Sequence, residues 1–137
     1  MSRALRRAAK RALNRTARGA FPRAVRDTIA HRDQWRCVRC GADITIGPAS
    51  VQHRRPRGMG GTRDPLVSAP SNGILLCGTG TTGCHGWVET HREAAHEQGW
   101  SIPWWTNPLT VPVTYWDGRQ YKLDNQGNRT LVEGTQE

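Results

Sequence analysis

The sequence predicts one small α+β domain, and three observations carry that prediction. Two short apolar runs, "ASVQH" at 49–53 and "NGILLC" at 72–77, have the length and residue types of strands. Before and after this pair of runs lie segments with helical periodicity. Asp117-Gly118 lies between two alternating runs, which is a strong hairpin signal. A chain of 137 residues suffices for one compact domain with a modest core.

The positive charge lies at the N-terminus. Residues 1–26 contain nine of the 20 basic residues and none of the 11 acidic ones, so they account for the whole net charge of +9. Helix formers fill residues 2–18, and Gly19 and Pro22 end the run. We predict a basic helical arm that binds a polyanion, most often nucleic acid. A solvated tail or an organelle transit sequence is the alternative.

The remaining elements follow in chain order. No apolar run reaches membrane-spanning length and no secretory signal is evident, so we expect an intracellular protein with reduced thiols. We predict a central domain over 27–100 and a Trp/Pro segment with the C-terminal hairpin over 101–137. Within them the sequence predicts a helix at 23–36, a knuckle at 37–41, a loop at 54–71, a connector at 78–83, and a helix at 84–98 that ends before Gly99. Trp87, Trp100, Trp104 and Trp105 are expected to pack the core and the hairpin.

The four cysteines are spaced as two pairs, Cys37-x2-Cys40 and Cys77-x6-Cys84. Pairs with knuckle spacing in a reducing compartment predict a structural zinc site. The first pair is the stronger signal, because Gly41 suits the sharp turn that follows Cys40. Four ordinary buried thiols are the alternative. Bound zinc would also compensate for the thin core.

With these pieces in order, the chain resembles the HNH endonuclease family over residues 35 to about 100. The matching segments are "CVRC", "VQHRRPRGMGGTRD", "SNGILLC" and "CHGWVE". It is most similar to the small HNH proteins of bacteriophages that infect actinobacteria. The resemblance implies a ββα-metal (His-Me finger) core, in which two strands and a helix hold one catalytic divalent ion, here Mg²⁺, Mn²⁺ or Zn²⁺.

The resemblance also implies a role for each matching residue. His53 would be the general base that activates water, Asn72 would hold the His53 segment across the hairpin, and His85 would bind the catalytic metal. Glu89 lies four residues after His85 on the same helix face and would substitute for the second histidine ligand common in the family. At the position before the base, commonly Asp or His, this chain has Gln52, whose amide oxygen can bind a hard cation but brings no charge. His31, His91 and His96 are expected at the surface.

Basic residues next to the proposed base predict phosphate contacts, because the arginine guanidinium matches phosphate oxygens. The predicted DNA-binding residues are Arg54, Arg55, Arg57 and Arg63 in the loop, and Arg6, Arg7, Lys10 and Arg11 in the arm.

The sequence therefore predicts a metal-dependent HNH endonuclease acting on double-stranded DNA, in the cytoplasm of a bacterial host and without membrane contact. By analogy alone, a phage terminase is a possible partner in genome packaging. One rival is a non-catalytic zinc module that binds nucleic acid. Another is a packaging-complex protein with a degenerate nuclease site. The uncharged Gln52 leaves this alternative open.

Overall fold

The computed structural model describes residues 2–7, 19–58 and 63–134, and it confirms the α+β class. Residues 3–7 of the arm are helical, and the predicted helix over 8–18 lies outside the described residues. No helix in the described ranges is long and apolar enough to cross a membrane. The described elements are α1 (Arg23–Arg32), β1 (Ala49–His53), β2 (Gly73–Cys77), α2 (Gly83–Thr90), α3 (Arg92–Glu97), β3 (Val113–Thr114), β4 (Gln120–Leu123) and β5 (Arg129–Leu131).

An antiparallel hairpin of β1 and β2 forms the centre of the domain. Its register runs from Ala49 opposite Cys77 to His53 opposite Gly73. Successive strand residues face opposite sides of a sheet, and helices cover both sides. α1 packs on the side of Val51 and His53, where a Cβ on Gly73 would lie 2.4 Å from Ile29 Cδ1. The side of Ser50 faces α2.

α1 is shorter than predicted and belongs to the domain. It ends at Arg32, and Gln34 and Trp35 adopt left-handed φ values of 60° and 56°, which turn the chain into the knuckle. Trp35 is therefore exposed instead of lying on an apolar helix face. α1 begins at Arg23 and Phe21 is buried, so this helix spans the position at which the sequence predicts the boundary between arm and domain.

The helix predicted over 84–98 is broken into α2 and α3 at His91. There φ is −127° and ψ is 57°, and the imidazole stacks on Trp87 with centroids 4.3 Å apart. The predicted stop at Gly99 is present, with φ at +75°. A Cβ at that position would lie 1.9 Å from Pro112 O, so only glycine fits.

The C-terminal region forms a three-stranded sheet in the order β3-β4-β5. The turn at Asp117-Gly118 joins the first two strands as predicted, and β5 is an addition that the sequence did not indicate. Trp100 is buried and donates from Nε1 to Thr114 O at 2.7 Å, which ties α3 to this sheet. For Trp104 and Trp105 the packing prediction is wrong, because they are 69% and 71% exposed.

A buried polar network joins α1 to both sheets. The Asp33 carboxylate pairs with Arg32 at 2.9 Å and accepts hydrogen bonds from the Tyr115 hydroxyl (2.5 Å) and the Leu75 N–H (3.0 Å). Arg32 also donates to the carbonyl of Gly73 at 2.6 Å. Burial raises the pKa of Tyr115, so the hydroxyl stays protonated and keeps donating. The network fixes the position of β2 against α1.

Arg54 was predicted to contact DNA, and that prediction is wrong. Its side chain is fully buried and donates to four carbonyl oxygens. Burial, together with the charge of Arg32, lowers the pKa of Arg54 to about 9, which leaves the guanidinium protonated at neutral pH. The acceptors are Gly99 O at 2.8 Å, Ser71 O at 2.8 Å, Pro108 O at 3.1 Å and Val111 O at 2.7 Å.

Replacing Arg54 should therefore destabilise the fold strongly. Arg54→Met keeps much of the side-chain length but leaves four buried carbonyls without their donor. At about 1–3 kcal/mol for each buried group that stays unsatisfied, we expect a loss of at least about 3 kcal/mol. Urea denaturation measures it, with Arg63→Met on an exposed loop as the control, expected within about 0.5 kcal/mol of wild type. A similar value for Arg54→Met would contradict the structural role.

Candidate functional site

The four cysteine sulfurs form one cluster, all within 4.8 Å of one another. Cys37 and Cys40 lie on the knuckle, where Gly41 has a φ of +76° and its N–H bonds to Cys37 O at 2.8 Å. Cys77 ends β2 and Cys84 opens α2. Tetrahedral coordination with bonds of about 2.3 Å places sulfurs about 3.8 Å apart, and the Cys40 and Cys77 Sγ atoms are separated by 3.9 Å. The donor set and its geometry therefore fit a structural metal site.

The surroundings of the cluster do not by themselves make all four sulfurs thiolates. Burial raises the pKa of the Cys37 and Cys84 thiols. Hydrogen bonds, from the Cys84 N–H among others, outweigh burial at Cys77 and lower its pKa. Arg39 donates to Cys84 Sγ at 3.3 Å, with its guanidinium stacked 3.9 Å from the centroid of Trp87. One arginine does not balance four thiolates, so full deprotonation at neutral pH requires a cation.

His53 lies at the end of β1, at the opposite end of the hairpin from Cys77. Its ring stacks on Phe21, with centroids 4.2 Å apart, and its Nε2 lies 2.5 Å from Gly19 O. A carbonyl can only accept, so Nε2 carries the proton and the neutral ring keeps its lone pair on Nδ1. Burial lowers the pKa of His53 below its usual value, opposed by the Gly19 hydrogen bond and assisted by the charge of Arg57. The imidazole is thus neutral at pH 7, as a general base requires.

Asn72 is fully buried and makes the cross-hairpin hydrogen bonds that the sequence predicted. Its Nδ2 donates to Arg55 O at 3.0 Å and to Val67 O at 2.9 Å. Its Oδ1 accepts from the Arg55 N–H at 2.8 Å. The amide therefore holds the chain immediately after His53 to the start of β2.

His85, in the first turn of α2, is oriented by Ser50. Ser50 Oγ donates its proton to Gly78 O at 2.8 Å, so at 2.6 Å from His85 Nδ1 it accepts. The lone pair of the neutral ring is then on Nε2, which lies 3.7 Å from Glu89 Oε1. Burial lowers the pKa of His85, opposed by Glu89, so two electron-rich groups face each other at neutral pH. Bonds of about 2.0–2.2 Å from each group to a divalent cation would span this gap.

Gln52 lies on the Ser50 side of the hairpin, because the two residues are separated by two positions in β1. It is buried, and within the described structure its Oε1 has no hydrogen-bond partner. A buried amide oxygen left unpaired is uncommon, and a water molecule or a cation would satisfy it. Glu89 also pairs with Arg92 at 2.8 Å. Apart from the thiols, the described chain contains no cluster of three or more His, Cys, Asp or Glu ligands, so the candidate cation site at His85 and Glu89 has two ionisable ligands.

The other predicted phosphate-binding residues differ in their surroundings. Arg55 forms an ion pair with Asp64. Arg57 lies with His53 along a cavity of about 490 Å³, whose walls include Phe21 and Trp35. Arg63 is exposed, as are Arg6 and Arg7 on the helical part of the arm, while Lys10 and Arg11 lie outside the described residues. His31, His91 and His96 are exposed, as predicted.

Sequence reasoning missed three contributors to this site: Gly19, Phe21 and Ser50. Nothing in the local sequence marks Ser50 as a partner of a histidine 35 positions away. The one available signal was Phe21, the only phenylalanine of the chain, in an otherwise basic segment. Comparison of the chain with protein-family models, curated proteins and solved structures finds no match. The functional assignment therefore depends on the residues themselves.

The cysteine cluster generates a direct test. Cys40 is exposed, so Cys40→Ser removes little packing, yet loss of a metal ligand should destabilise the domain by more than about 4 kcal/mol. Elemental analysis of the purified wild type should find one tightly bound metal ion per chain, and thermal denaturation should show the loss in the variant. Ile46→Ser, an 84% exposed position in the following loop, is the matched control. Well-folded wild type without metal would refute the site.

Proposed function

We propose that this protein is a metal-dependent endonuclease of the HNH type that hydrolyses phosphodiester bonds in double-stranded DNA. The observation that carries the proposal is the hydrogen bond from His53 Nε2 to Gly19 O, which leaves the lone pair on Nδ1, next to a chain segment that Asn72 holds in place. An antiparallel strand pair followed by a helix that carries His85 is the arrangement a ββα-metal core requires. The order of these residues along the chain adds to that support.

In this proposal His53 Nδ1 takes the proton from the attacking water. His85 Nε2, Glu89 and the amide oxygen of Gln52 would hold a divalent ion, Mg²⁺, Mn²⁺ or Zn²⁺. When bound, such an ion stabilises the negative charge on the phosphate and the leaving 3′-oxygen. Ser50 keeps the His85 lone pair directed at that site. The family resemblance implies a 5′-phosphate and a 3′-hydroxyl as products.

We further propose that the metal of the cysteine cluster is zinc. Four thiolates in tetrahedral array are the ligand set that structural zinc prefers. The cluster joins the knuckle, β2 and α2. The ion would therefore stabilise the folded domain and would take no part in DNA cleavage. Cys84 and His85 are neighbours whose side chains diverge by about 100° around the helix axis. Cys84 can therefore bind the zinc while His85 binds the catalytic ion.

DNA would reach the site along its basic surroundings. Arg57 borders the His53 cavity and Arg63 is exposed. Arg55 forms an ion pair with Asp64. The pair positions the guanidinium of Arg55 but reduces its net attraction for a phosphate. Arg54 takes no part. The basic arm would add sequence-independent affinity.

One observation favours the non-catalytic alternative, a zinc module that binds nucleic acid. The candidate cation site has Gln52 where the family commonly supplies a charged or imidazole ligand, and Glu89 is shared with Arg92. A protein that binds DNA but cuts none with Mg²⁺, Mn²⁺ or Zn²⁺ would be of this kind. A setting in phage genome packaging, next to a terminase, depends on the resemblance alone.

His53→Ala should lower plasmid cleavage by about 10²–10⁴-fold, because it removes the general base. DNA affinity and the melting temperature should change little. His96→Ala, which changes an exposed histidine on α3, is the matched control and should cut at the wild-type rate. Supercoiled-plasmid nicking with each metal and with EDTA measures the effect. Cleavage by His53→Ala at more than a tenth of the wild-type rate would exclude His53 as the base.

The basic residues at positions 6, 7, 10 and 11 of the arm should contribute affinity without contributing to turnover. Replacing Arg6, Arg7, Lys10 and Arg11 by glutamine should flatten the slope of log K against log salt by up to about 3.6, since each neutralised phosphate adds about 0.9. Turnover at saturating DNA should stay the same, because only uniform binding is lost. Binding to one duplex across a salt series measures the slope, with Lys122→Gln on β4 as the control. Parallel lines for wild type and variant would assign the arm to a protein partner instead.

A further inference from the structure

We propose that residues 19–21, where the basic arm joins the domain, form the positioning element of the proposed base. Gly19 would fix the tautomer of His53 through its carbonyl, and Phe21 would fix the plane of the ring. This inference rests on the proposed nuclease function and deepens it, because it gives the arm junction a part in turnover that DNA affinity does not explain.

The Gly19 carbonyl determines which nitrogen of His53 can act as a base. The Nε2–H donates to it at 2.5 Å, a short contact between groups 34 positions apart in the chain. As long as this bond holds, the proton stays on Nε2 and the lone pair stays on Nδ1. Loss of the carbonyl would let the ring rotate and would let the tautomers interconvert. The base would then spend only part of its time with a lone pair directed at the water.

Phe21 holds the ring from the side. The two ring planes are inclined by 23°, with centroids 4.2 Å apart, and Phe21 is 7% exposed. The Phe21 ring can occupy this position because Gly73, the strand partner of His53, has no side chain. A Cβ there would lie 3.0 Å from Phe21 Cζ. The residue opposite the base in the hairpin thus leaves room both for Ile29, whose Cδ1 would lie 2.4 Å from such a Cβ, and for Phe21.

The backbone of the junction is built to present this carbonyl. Gly19 has a φ of +75°, in the left-handed region where only glycine is free of strain. Pro22, with φ at −58°, then starts α1 without a side-chain cap. The chain turns at Gly19, inserts Phe21 under His53 and enters the helix within four residues. Whatever binds the arm is thus connected to the proposed base by a very short segment.

The alternative is that Phe21 only completes the core and that the Gly19 contact has no consequence for chemistry. Two substitutions in the full chain separate these possibilities. Gly19→Val places a β-branched residue at a φ that it disfavours, so the peptide must rotate and the carbonyl must move. Gly47→Val is the matched control, because Gly47 has a φ of +95° with nothing within 4 Å of its Cβ position. Phe21→Leu keeps apolar bulk and removes the ring.

The first measurement is nuclear magnetic resonance of the histidine rings in protein without DNA. Wild type should show the His53 ring as the Nε2–H tautomer, with an N–H proton protected from exchange with water. Gly47→Val should retain that signal and Gly19→Val should lose it. If wild type lacks a protected Nε2–H on His53, the positioning role is wrong, whether or not the protein cuts DNA.

The second measurement is steady-state plasmid cleavage. Gly19→Val and Phe21→Leu should each lower kcat by about 10²-fold, the scale of a catalytic group displaced by about an ångström. KM and DNA affinity should stay within about threefold of wild type, and Gly47→Val should match wild type in both. A kcat within threefold of wild type in folded Gly19→Val would overturn the proposal. If wild type cuts no DNA under any metal, the nuclease function fails, while the resonance signal still decides whether Gly19 holds His53.

Discussion

The fold depends on the buried guanidinium of Arg54. Its N–H groups bind carbonyls of residues 71, 99, 108 and 111, so one side chain joins the segment before β2, the end of α3 and the approach to β3. A domain of this size has little apolar area to bury. Charged hydrogen bonds between irregular segments therefore supply part of the stability that a larger apolar core would otherwise supply. The Asp33 network does the same between α1, β2 and Tyr115.

The hydrogen bonds of Arg54 also determine where the candidate site lies in the fold. Arg54 and Asn72 fix the chain directly after His53, from opposite strands of one hairpin. The imidazole can then stay half-buried and neutral without being part of the core. At the other end of the same five-residue hairpin lies the cysteine cluster, about 13 Å away along the strands. The proposed base and the cysteine cluster thus lie at opposite ends of one pair of strands.

The residues proposed to act in cleavage lie on both sides of the hairpin. Ser50 and Gln52 face α2 and its His85, whereas His53 faces Phe21 and α1. Base and cation ligands approach from different sides of the sheet, and His85 is still near enough to His53 to affect its pKa. Cleavage chemistry would take place across the open end of the hairpin, where both sides meet. The loop with Arg57 and Arg63 borders that end.

The sequence by itself determined the features that local patterns encode. Alternation set the bounds of β1, cysteine spacing indicated the cluster, Asp117-Gly118 set the hairpin, and counting located the excess charge in the arm. The order of His53, Asn72 and His85 indicated the candidate site. The tertiary structure alone decided what depends on distant partners. Arg54 lies among loop arginines in the sequence, but four carbonyls from other segments make it a buried cross-link. His91, at the helix break, stacks on Trp87, and the tautomer of His53 depends on a carbonyl 34 residues earlier. Such contacts leave no periodic trace in the chain, because each is made between single residues that folding brings together.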